Sequence, residues 1–327
     1  MITYLLLIIG FFLLIKGADF FVDGSSSVAK LLKVPSIVIG LTMVAFGTSM
    51  PEASVSVTAA LMGKNELAVS NVIGSNIFNL LVVLGASALV RPIQVKWSIL
   101  KREFPFSIVI TAILLLMMTG FDFQGIMSGG ENKEYILSRI SGVILLVLFV
   151  GFVIAAVIDA LHSRRKIAAS GEPEEEYESL TPVRSAVYIV VGIAGIIIGG
   201  DFVVDSASEI AASFGLSQTF IGLSIVALGT SLPELVTSMV AAKKGENDLA
   251  LGNVVGSNIF NILLILGMSA SITPITINAL AVQDTIILIV ASILVYICTV
   301  SRKGLSKLEG LMFLLFYAGF FTYILVR

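Results

Sequence analysis

Two glutamates lie where a charged side chain is costly. Glu52 and Glu234 each follow a proline inside a long apolar stretch, in the pattern Gly-Thr-Ser-x-Pro-Glu. A charge near the centre of a membrane costs about 3 kcal/mol on insertion scales, so an acid there is a functional candidate by default. Because the same pattern occurs twice, a purely structural role is disfavoured for both acids. Their chemistry is that of cation or proton binding.

The residues just before each glutamate offer further oxygen atoms. A threonine and a serine lie four and three residues earlier, which predicts that all three side chains share one helical face. The proline has no N–H group, so the carbonyl four residues before it lacks a helical donor. Such a carbonyl is tolerated at membrane depth where it lines a cavity. The same residues are also typical of a simple helix kink. They are Thr48, Ser49 and Pro51 in the first copy and Thr230, Ser231 and Pro233 in the second.

A second pattern, Gly-Ser-Asn-Ile-Phe-Asn, occupies residues 74–79 and 256–261. With the asparagine that precedes it, each copy predicts a polar stripe along one helix, spaced i, i+4, i+8. Oxygen ligands without histidine or cysteine suit Ca²⁺, Mg²⁺ or Na⁺ and disfavour Zn²⁺ or Cu. Taken singly, each side chain also fits helix packing, because small residues and asparagines join membrane helices. The stripes comprise Asn71, Ser75 and Asn79, and Asn253, Ser257 and Asn261.

The composition shows which elements must position these residues. Of 327 residues, 57% are hydrophobic and 13% are charged, whereas soluble domains average about 25% charged. A water-soluble enzyme and a secreted disulfide scaffold are therefore excluded. The net charge of −2 gives no basic surface for nucleic acid, and the single cysteine, Cys298, has no partner within the chain.

Ten apolar runs of about the length of a membrane helix predict an all-α polytopic membrane protein with ten transmembrane helices. The long polar stretch 162–184 predicts a linker between a first five-helix repeat, 1–161, and a second, 185–327. The ten runs are 2–22, 36–62, 67–90, 104–120, 138–160, 185–205, 219–242, 248–272, 284–300 and 308–326.

The basic residues predict the orientation of these helices. If the central linker is cytoplasmic, 16 of the 20 Lys and Arg residues lie on the cytoplasmic side. Cytoplasmic loops carry an excess of these residues. We therefore expect both termini outside and the linker inside.

The two halves are copies of one another. Residues 40–95 and 222–277 align without gaps at an offset of 182 and are identical at 31 of 56 positions. Because each half has an odd number of predicted helices, the second copy enters the membrane with opposite polarity. Inverted repeats of this kind are typical of secondary transporters, which bind their substrates near the midplane where the repeats meet.

With these motifs, the sequence resembles the calcium/cation antiporter superfamily, in its prokaryotic sodium/calcium exchanger branch. The resemblance covers nearly the whole chain. It implies two inverted five-helix repeats with ions bound between helices 2, 3, 7 and 8. It also implies that Glu52 and Glu234 are central Ca²⁺ ligands. The further ion ligands that it implies are Ala45 and Ala227 through their carbonyls, Thr48, Ser49, Ser75, Asn79, Thr230, Ser231, Ser257 and Asn261. Some relatives have Asp at the position of Asn261, so its absence here makes K⁺ co-transport doubtful.

We therefore expect an antiporter, not an enzyme, that exchanges Na⁺ for Ca²⁺ by alternating access. The alternatives are an H⁺-coupled Ca²⁺ exchanger, since burial raises the pKa of carboxyl groups, and a passive cation channel. An intramembrane metalloenzyme using Asp19, Asp23, Asp201 and Asp205 is disfavoured, because neither a nucleophile nor a metal-binding histidine accompanies them. The expected partners are Ca²⁺, Na⁺, H⁺ in the alternative, and the lipid of a prokaryotic inner membrane. No cofactor, nucleic acid or obligate protein partner is expected.

Overall fold

The computed structural model describes residues 2–63, 65–95, 100–120, 122, 135–170, 180–215 and 227–326, and within these it is mostly helical. Twelve helices and four short strands are labelled here in chain order. The helices of the first half are α1 (Ile2–Leu32), α2 (Ser36–Thr48), α3 (Met50–Leu61), α4 (Asn65–Phe78, Asn79–Val83 and Leu84–Val90), α5 (Glu103–Thr119) and α6 (Arg139–Ser170). Those of the second half are α7 (Pro182–Ser213), α8 (Ala227–Gly229), α9 (Leu232–Lys244), α10 (Asn247–Phe260, Asn261–Leu266 and Gly267–Ile272), α11 (Ala279–Arg302) and α12 (Lys307–Val326). The strands are β1 (Ile93–Gln94), β2 (Tyr135–Leu137), β3 (Ile275–Ile277) and β4 (Gly304–Leu305).

The helices confirm a polytopic membrane type of fold. Seven of those described are long and apolar enough to span a membrane, namely α1, α4, α6, α7, α10, α11 and α12. An eighth span results if α2 and α3 count as one broken helix. α5 is apolar but shorter. The predicted run 219–242 begins in residues 216–226, which lie outside the described part of the chain. The count of ten spans therefore stays a prediction.

Several helices continue beyond the apolar runs that predicted them. α1 extends ten residues past its predicted end, to Leu32, and its Ser25, Ser26 and Ser27 are buried. Hydropathy detects only the part of a helix that is apolar enough to face lipid. The helix itself can continue further, because its backbone hydrogen bonds form within the segment and do not depend on apolar side chains. The predicted linker is likewise helical at 162–170, and its residues 171–179 lie outside the description.

The chain forms two compact helical units. Unit I comprises residues 1–49 and 153–256, and unit II comprises 50–152 and 257–327. Each unit therefore draws on both halves of the sequence. The boundaries of the predicted repeats, in contrast, follow the internal sequence similarity and stay a prediction.

Unit I contains a helix contact made by glycines. α1 and α7 approach so closely that a Cβ atom added at Gly17 would lie 2.7 Å from the backbone nitrogen of Ile196. A Cβ atom at Gly192 would lie 2.6 Å from the nitrogen of Phe21. Small residues allow this backbone contact, which is a common way for membrane helices to associate.

Unit II also uses glycines where helices meet. A Cβ atom at Gly85 of α4 would lie 2.9 Å from the carbonyl oxygen of Gly310 on α12. Gly142 of α6 makes a similarly close approach to Ser271 at the end of α10. Away from this contact, α6 exposes many large apolar side chains, such as Ile140 and Val147. An apolar surface of this extent on a long helix is suited to lipid.

Two short antiparallel strand pairs lie in the loops of unit II. β1 pairs with β4, with Ile93 opposite Leu305, and β2 pairs with β3, with Ile136 opposite Thr276. Each ladder satisfies backbone groups where the chain leaves a helix.

Candidate ion-binding site

Each motif glutamate lies in the first turn of a helix that begins just after a break. The helical path ends at Thr48 and resumes at Met50, so Glu52 is the third residue of α3. Glu234 is likewise the third residue of α9. Both side chains are fully buried. The first turn of a helix offers N–H groups without an intrahelical partner and the positive end of the helix dipole, both of which suit negatively charged groups.

The break differs from the single helical face predicted for Thr48, Ser49 and Glu52. Ser49 has φ −83° and ψ 8°, outside helical values, and no helix includes it. Since Pro51 cannot donate a hydrogen bond, the helix cannot run continuously through this point.

In unit I, Ser49 contacts the carboxylate of the other repeat. Its Oγ donates a hydrogen bond of 2.9 Å to Oε1 of Glu234. Beside it, the hydroxyl of Thr48 lies 2.9 Å from Oδ1 of Asn253. Nδ2 of Asn253 in turn contacts the carbonyl oxygen of Glu234 at 3.4 Å and Oγ of Ser238 at 2.9 Å. This buried cluster holds one carboxylate, three hydroxyls and an amide.

In unit II, Glu52 has corresponding neighbours. Nδ2 of Asn71 contacts the carbonyl oxygen of Glu52 at 3.4 Å and Oγ of Ser56 at 3.0 Å. Oγ of Ser75 lies 3.5 Å from Oε1 of Glu52. Asn71 and Ser56 correspond to Asn253 and Ser238 at the repeat offset, so both repeats fix the backbone of their glutamate in the same way.

The predicted asparagines Asn79 and Asn261 lie on α4 and α10 in unit II. Each is fully buried and begins a π-helical turn, Asn79–Val83 or Asn261–Leu266. A third π-helical turn, Gly40–Val44, immediately precedes Ala45. Single π-helical turns of this kind are frequent at functional sites.

The remaining predicted residues are placed as follows. The carbonyl oxygen of Ala45 accepts the backbone N–H of Ser49 at 3.0 Å and lies 3.4 Å from the hydroxyl of Thr48. Ala227 belongs to the short helix α8, and only its backbone is described. Thr230 is half-buried and Ser231 is buried, at the turn between α8 and α9. Ser257 is fully buried on α10.

Four positioning side chains were missed by the sequence analysis. Ser56 and Ser238 accept hydrogen bonds from Asn71 and Asn253, respectively. Asn76 and Asn258 accept hydrogen bonds from Asn261 and Asn79, respectively. All four are identical between the repeats. That identity was a usable signal, because buried polar residues retained in both copies need partners.

The donors in these clusters are oxygens of mixed type. Among the described residues, no group of three or more His, Cys, Asp or Glu side chains could hold a metal ion. Carboxylate, hydroxyl, amide and carbonyl oxygens suit hard cations. The asparagines and serines thus place neutral polar groups near one buried glutamate in each unit.

A largely apolar polytopic fold with buried oxygen clusters at broken helices is typical of membrane transport proteins. The chain belongs to the sodium/calcium exchanger family, because the family model described as "Sodium/calcium exchanger protein" matches residues 2–158 and 184–326.

Individual relatives match along almost the whole chain. The inner membrane protein YrbG of Escherichia coli is 37% identical over 301 residues, which cover 90% of this chain and 87% of that protein. The sodium/calcium exchanger MaX1 of Methanosarcina acetivorans is 32% identical over 341 residues, covering 98% and 97%. A solved structure of the sodium-calcium exchanger NCX_Mj, soaked with zero Na⁺ and Ca²⁺, superposes with a TM-score of 0.79 at 30% identity, covering 97% and 96%.

Proposed function

We propose that this protein is a secondary antiporter that exchanges Na⁺ for Ca²⁺ across the membrane by alternating access. The observation that carries the proposal is the repeated environment of Glu52 and Glu234. Each is a buried carboxylate at the start of a helix, with a serine hydroxyl beside it and an asparagine amide that donates to its backbone carbonyl. The chain belongs to the sodium/calcium exchanger family, so the ions that we assign to this environment are Na⁺ and Ca²⁺.

The two glutamates provide the charge for Ca²⁺. Together they carry about −2, which balances one Ca²⁺. Ser49, whose hydroxyl is bonded to Glu234, adds a neutral oxygen. Ca²⁺ takes six to eight oxygen ligands, so neutral groups must complete its coordination. We assign this role to the carbonyls of Ala45 and Ala227 and to the side chains of Thr48, Ser49, Ser75, Asn79, Thr230, Ser231, Ser257 and Asn261.

Coupling follows from shared ligands. If Na⁺ ions bind to hydroxyl and carbonyl oxygens that Ca²⁺ also needs, then binding of one species excludes the other. Exchange then requires only that the site opens to one side of the membrane at a time. We assign this opening to a movement of α1 and α7, which approach each other closely at glycines in unit I.

We assign the chain a topology of ten spans as two inverted five-helix repeats, 1–161 and 185–327. Both termini lie outside, and the linker 162–184 lies in the cytoplasm of a prokaryotic cell. The two ladders support this assignment. β1 and β4 lie in loops that the topology assigns to the cytoplasm, and β2 and β3 lie in loops that it assigns to the outside. A strand pair needs both segments on the same side.

The test is ion flux in proteoliposomes that contain the purified full-length protein. Vesicles loaded with Na⁺ and diluted into Na⁺-free buffer should accumulate radioactive Ca²⁺, and vesicles without a Na⁺ gradient should not. A pH gradient alone should drive no uptake. Uptake driven by protons in Na⁺-free buffer would identify an H⁺-coupled exchanger instead. Dissipation of a Ca²⁺ gradient without any counter-ion would identify a channel. A Glu52→Gln variant reconstituted in parallel controls for leakage.

A further inference from the structure

Four buried asparagines of unit II form one hydrogen-bonded cluster, here called the asparagine clamp. It comprises Asn76 and Asn79 of α4 and Asn258 and Asn261 of α10. All four are at most 2% exposed. Buried amides at this depth need partners for both their donor and their acceptor. The way in which these partners are shared determines which atoms remain available for a ligand.

The inner pair of the clamp has a fixed orientation. Nδ2 of Asn76 donates to the backbone carbonyl of Asn258 at 3.2 Å, and Nδ2 of Asn258 donates to the backbone carbonyl of Asn76 at 3.3 Å. A carbonyl oxygen only accepts hydrogen bonds, so the NH₂ group of each amide must face it. The Oδ1 atoms of Asn76 and Asn258 therefore point elsewhere, and neither amide can flip without losing its bond.

The inner pair in turn orients the outer pair. Oδ1 of Asn76 accepts a hydrogen bond of 2.9 Å from Nδ2 of Asn261, and Oδ1 of Asn258 accepts one of 3.1 Å from Nδ2 of Asn79. Because an amide oxygen cannot donate, Asn261 and Asn79 must each present their NH₂ group to the clamp. Their own Oδ1 atoms face away from it.

These two outer oxygens have no hydrogen-bond partner in the described part of the chain, although both are buried. A buried acceptor without a donor is unfavourable unless a ligand satisfies it. A hard cation does so, since amide oxygens are ligands for Ca²⁺ and Na⁺. An amide in the flipped orientation would instead present NH₂, which repels a cation.

We propose that Asn76 and Asn258 are positioning residues that aim the oxygens of Asn261 and Asn79 at the transported cation. This inference rests on the proposed function. The dependence is crossed between the helices. Asn76 of α4 acts through Asn261 of α10, and Asn258 of α10 acts through Asn79 of α4. The clamp also requires an amide at both outer positions, since a carboxylate has no NH₂ group to donate.

A double-mutant cycle tests the crossed dependence on the full-length protein. Ca²⁺ affinity is measured by equilibrium binding for Asn76→Ala, Asn261→Ala and the double variant, and the thermal unfolding midpoint is measured without Ca²⁺. Loss of a ligand that Asn76 positions should weaken Ca²⁺ binding by about tenfold. In the Asn261→Ala background, Asn76→Ala should weaken it by less than about twofold further, because its target is already absent.

The uncrossed pair provides the matched control. In an Asn79→Ala background, Asn76→Ala should keep its full effect, because Asn79 is oriented by Asn258 and not by Asn76. A second cycle, of Asn258→Ala with Asn79→Ala, tests the other crossed pair. Asn258→Ala should again have little further effect on Ca²⁺ affinity once Asn79 is absent.

Three outcomes would overturn the inference. The first is an unchanged Ca²⁺ affinity in Asn76→Ala. The second is that the effects of the two substitutions on Ca²⁺ affinity add equally in the crossed and the uncrossed pairs. The third is loss of folding in both the Asn76 and the Asn258 variants, which would show that the clamp serves the fold alone. A parent protein that binds Ca²⁺ and exchanges it for Na⁺ while the cycle is additive would contradict only this inference. A parent protein that binds neither ion would contradict the proposed function as well.

Discussion

Ser49 and Glu234 are joined by a hydrogen bond of 2.9 Å although 185 residues separate them in the chain. Each belongs to a different copy of the internal repeat. The carboxylate of the second copy is thus oriented by a hydroxyl of the first. Within unit I, neither copy completes its own set of polar neighbours, because Thr48 also reaches across, to Asn253.

Removing the charge of either glutamate should abolish Ca²⁺ transport. Glu52→Gln and Glu234→Gln keep the size of the side chain but lower the negative charge at the site by one, which leaves Ca²⁺ unbalanced. Na⁺-driven Ca²⁺ uptake in proteoliposomes should fall to the level of protein-free vesicles. Both variants should remain folded, since a neutral amide is easier to bury than a carboxylate.

The control for these variants is Glu209→Gln, which alters an exposed acid on α7. It should transport Ca²⁺ at the rate of the parent protein. Near-normal exchange by Glu52→Gln or Glu234→Gln would show that the assignment of the central ligands is wrong.

Loss of the Ser49 hydroxyl should weaken Ca²⁺ binding without unfolding the protein. Ser49→Ala removes both an oxygen ligand and the donor that orients Glu234. A hydrogen bond to a charged group contributes about 1.5 kcal/mol or more, which corresponds to roughly a tenfold loss of Ca²⁺ affinity. Ser87→Ala is the matched control, because this hydroxyl is equally buried but has no hydrogen-bond partner within the described ranges. Equal affinities for the two variants would contradict a role for Ser49.

Much of the site could be predicted from sequence, because a membrane makes polar residues conspicuous. Glu52 and Glu234 stand out against apolar surroundings, and the long hydrophobic runs predict a polytopic membrane fold. Pro51 indicated a kink, but the position of the break at Ser49 was not predicted. Spacing arguments assume a continuous helix, whereas Pro51 and a preceding π-helical turn shift the side chains around it.

The roles of Asn76 and Asn258 depend on packing that spacing does not encode. Each is within the Gly-Ser-Asn-Ile-Phe-Asn motif, but one residue from the predicted polar stripe. A helical wheel places such a residue about 100° from its neighbour, on a different face. Only the approach of α4 to α10 shows that this face carries the reciprocal hydrogen bonds.

Two adjacent glycines of α7 should respond oppositely to the same substitution. A Cβ atom at Gly199 would lie 2.6 Å from the backbone nitrogen of Leu14 on α1, whereas one at Gly200 would meet nothing within 4 Å. Gly199→Ala should therefore lower the free energy of unfolding by about 1–3 kcal/mol, since backbone atoms must move apart. Gly200→Ala should be neutral or stabilising, because alanine favours a helix. Thermal unfolding of the two detergent-solubilised variants measures the difference, and equal midpoints would contradict the close contact.

Na⁺-driven Ca²⁺ flux should be independent of K⁺. The clamp requires amides at residues 79 and 261, so these positions contribute neutral oxygens and the site keeps a charge of about −2. That charge balances Ca²⁺ but leaves none for an accompanying K⁺. Asn261→Asp would add a negative charge, but its carboxylate would face Oδ1 of Asn76 without a hydrogen to donate. We therefore expect this variant to show both altered ion affinity and a lower unfolding midpoint. Initial Ca²⁺ flux across a K⁺ titration, with the membrane potential clamped by a K⁺-free ionophore system, measures the dependence. A strict K⁺ requirement in the parent protein would show that the neutral site inferred from Asn79 and Asn261 is wrong.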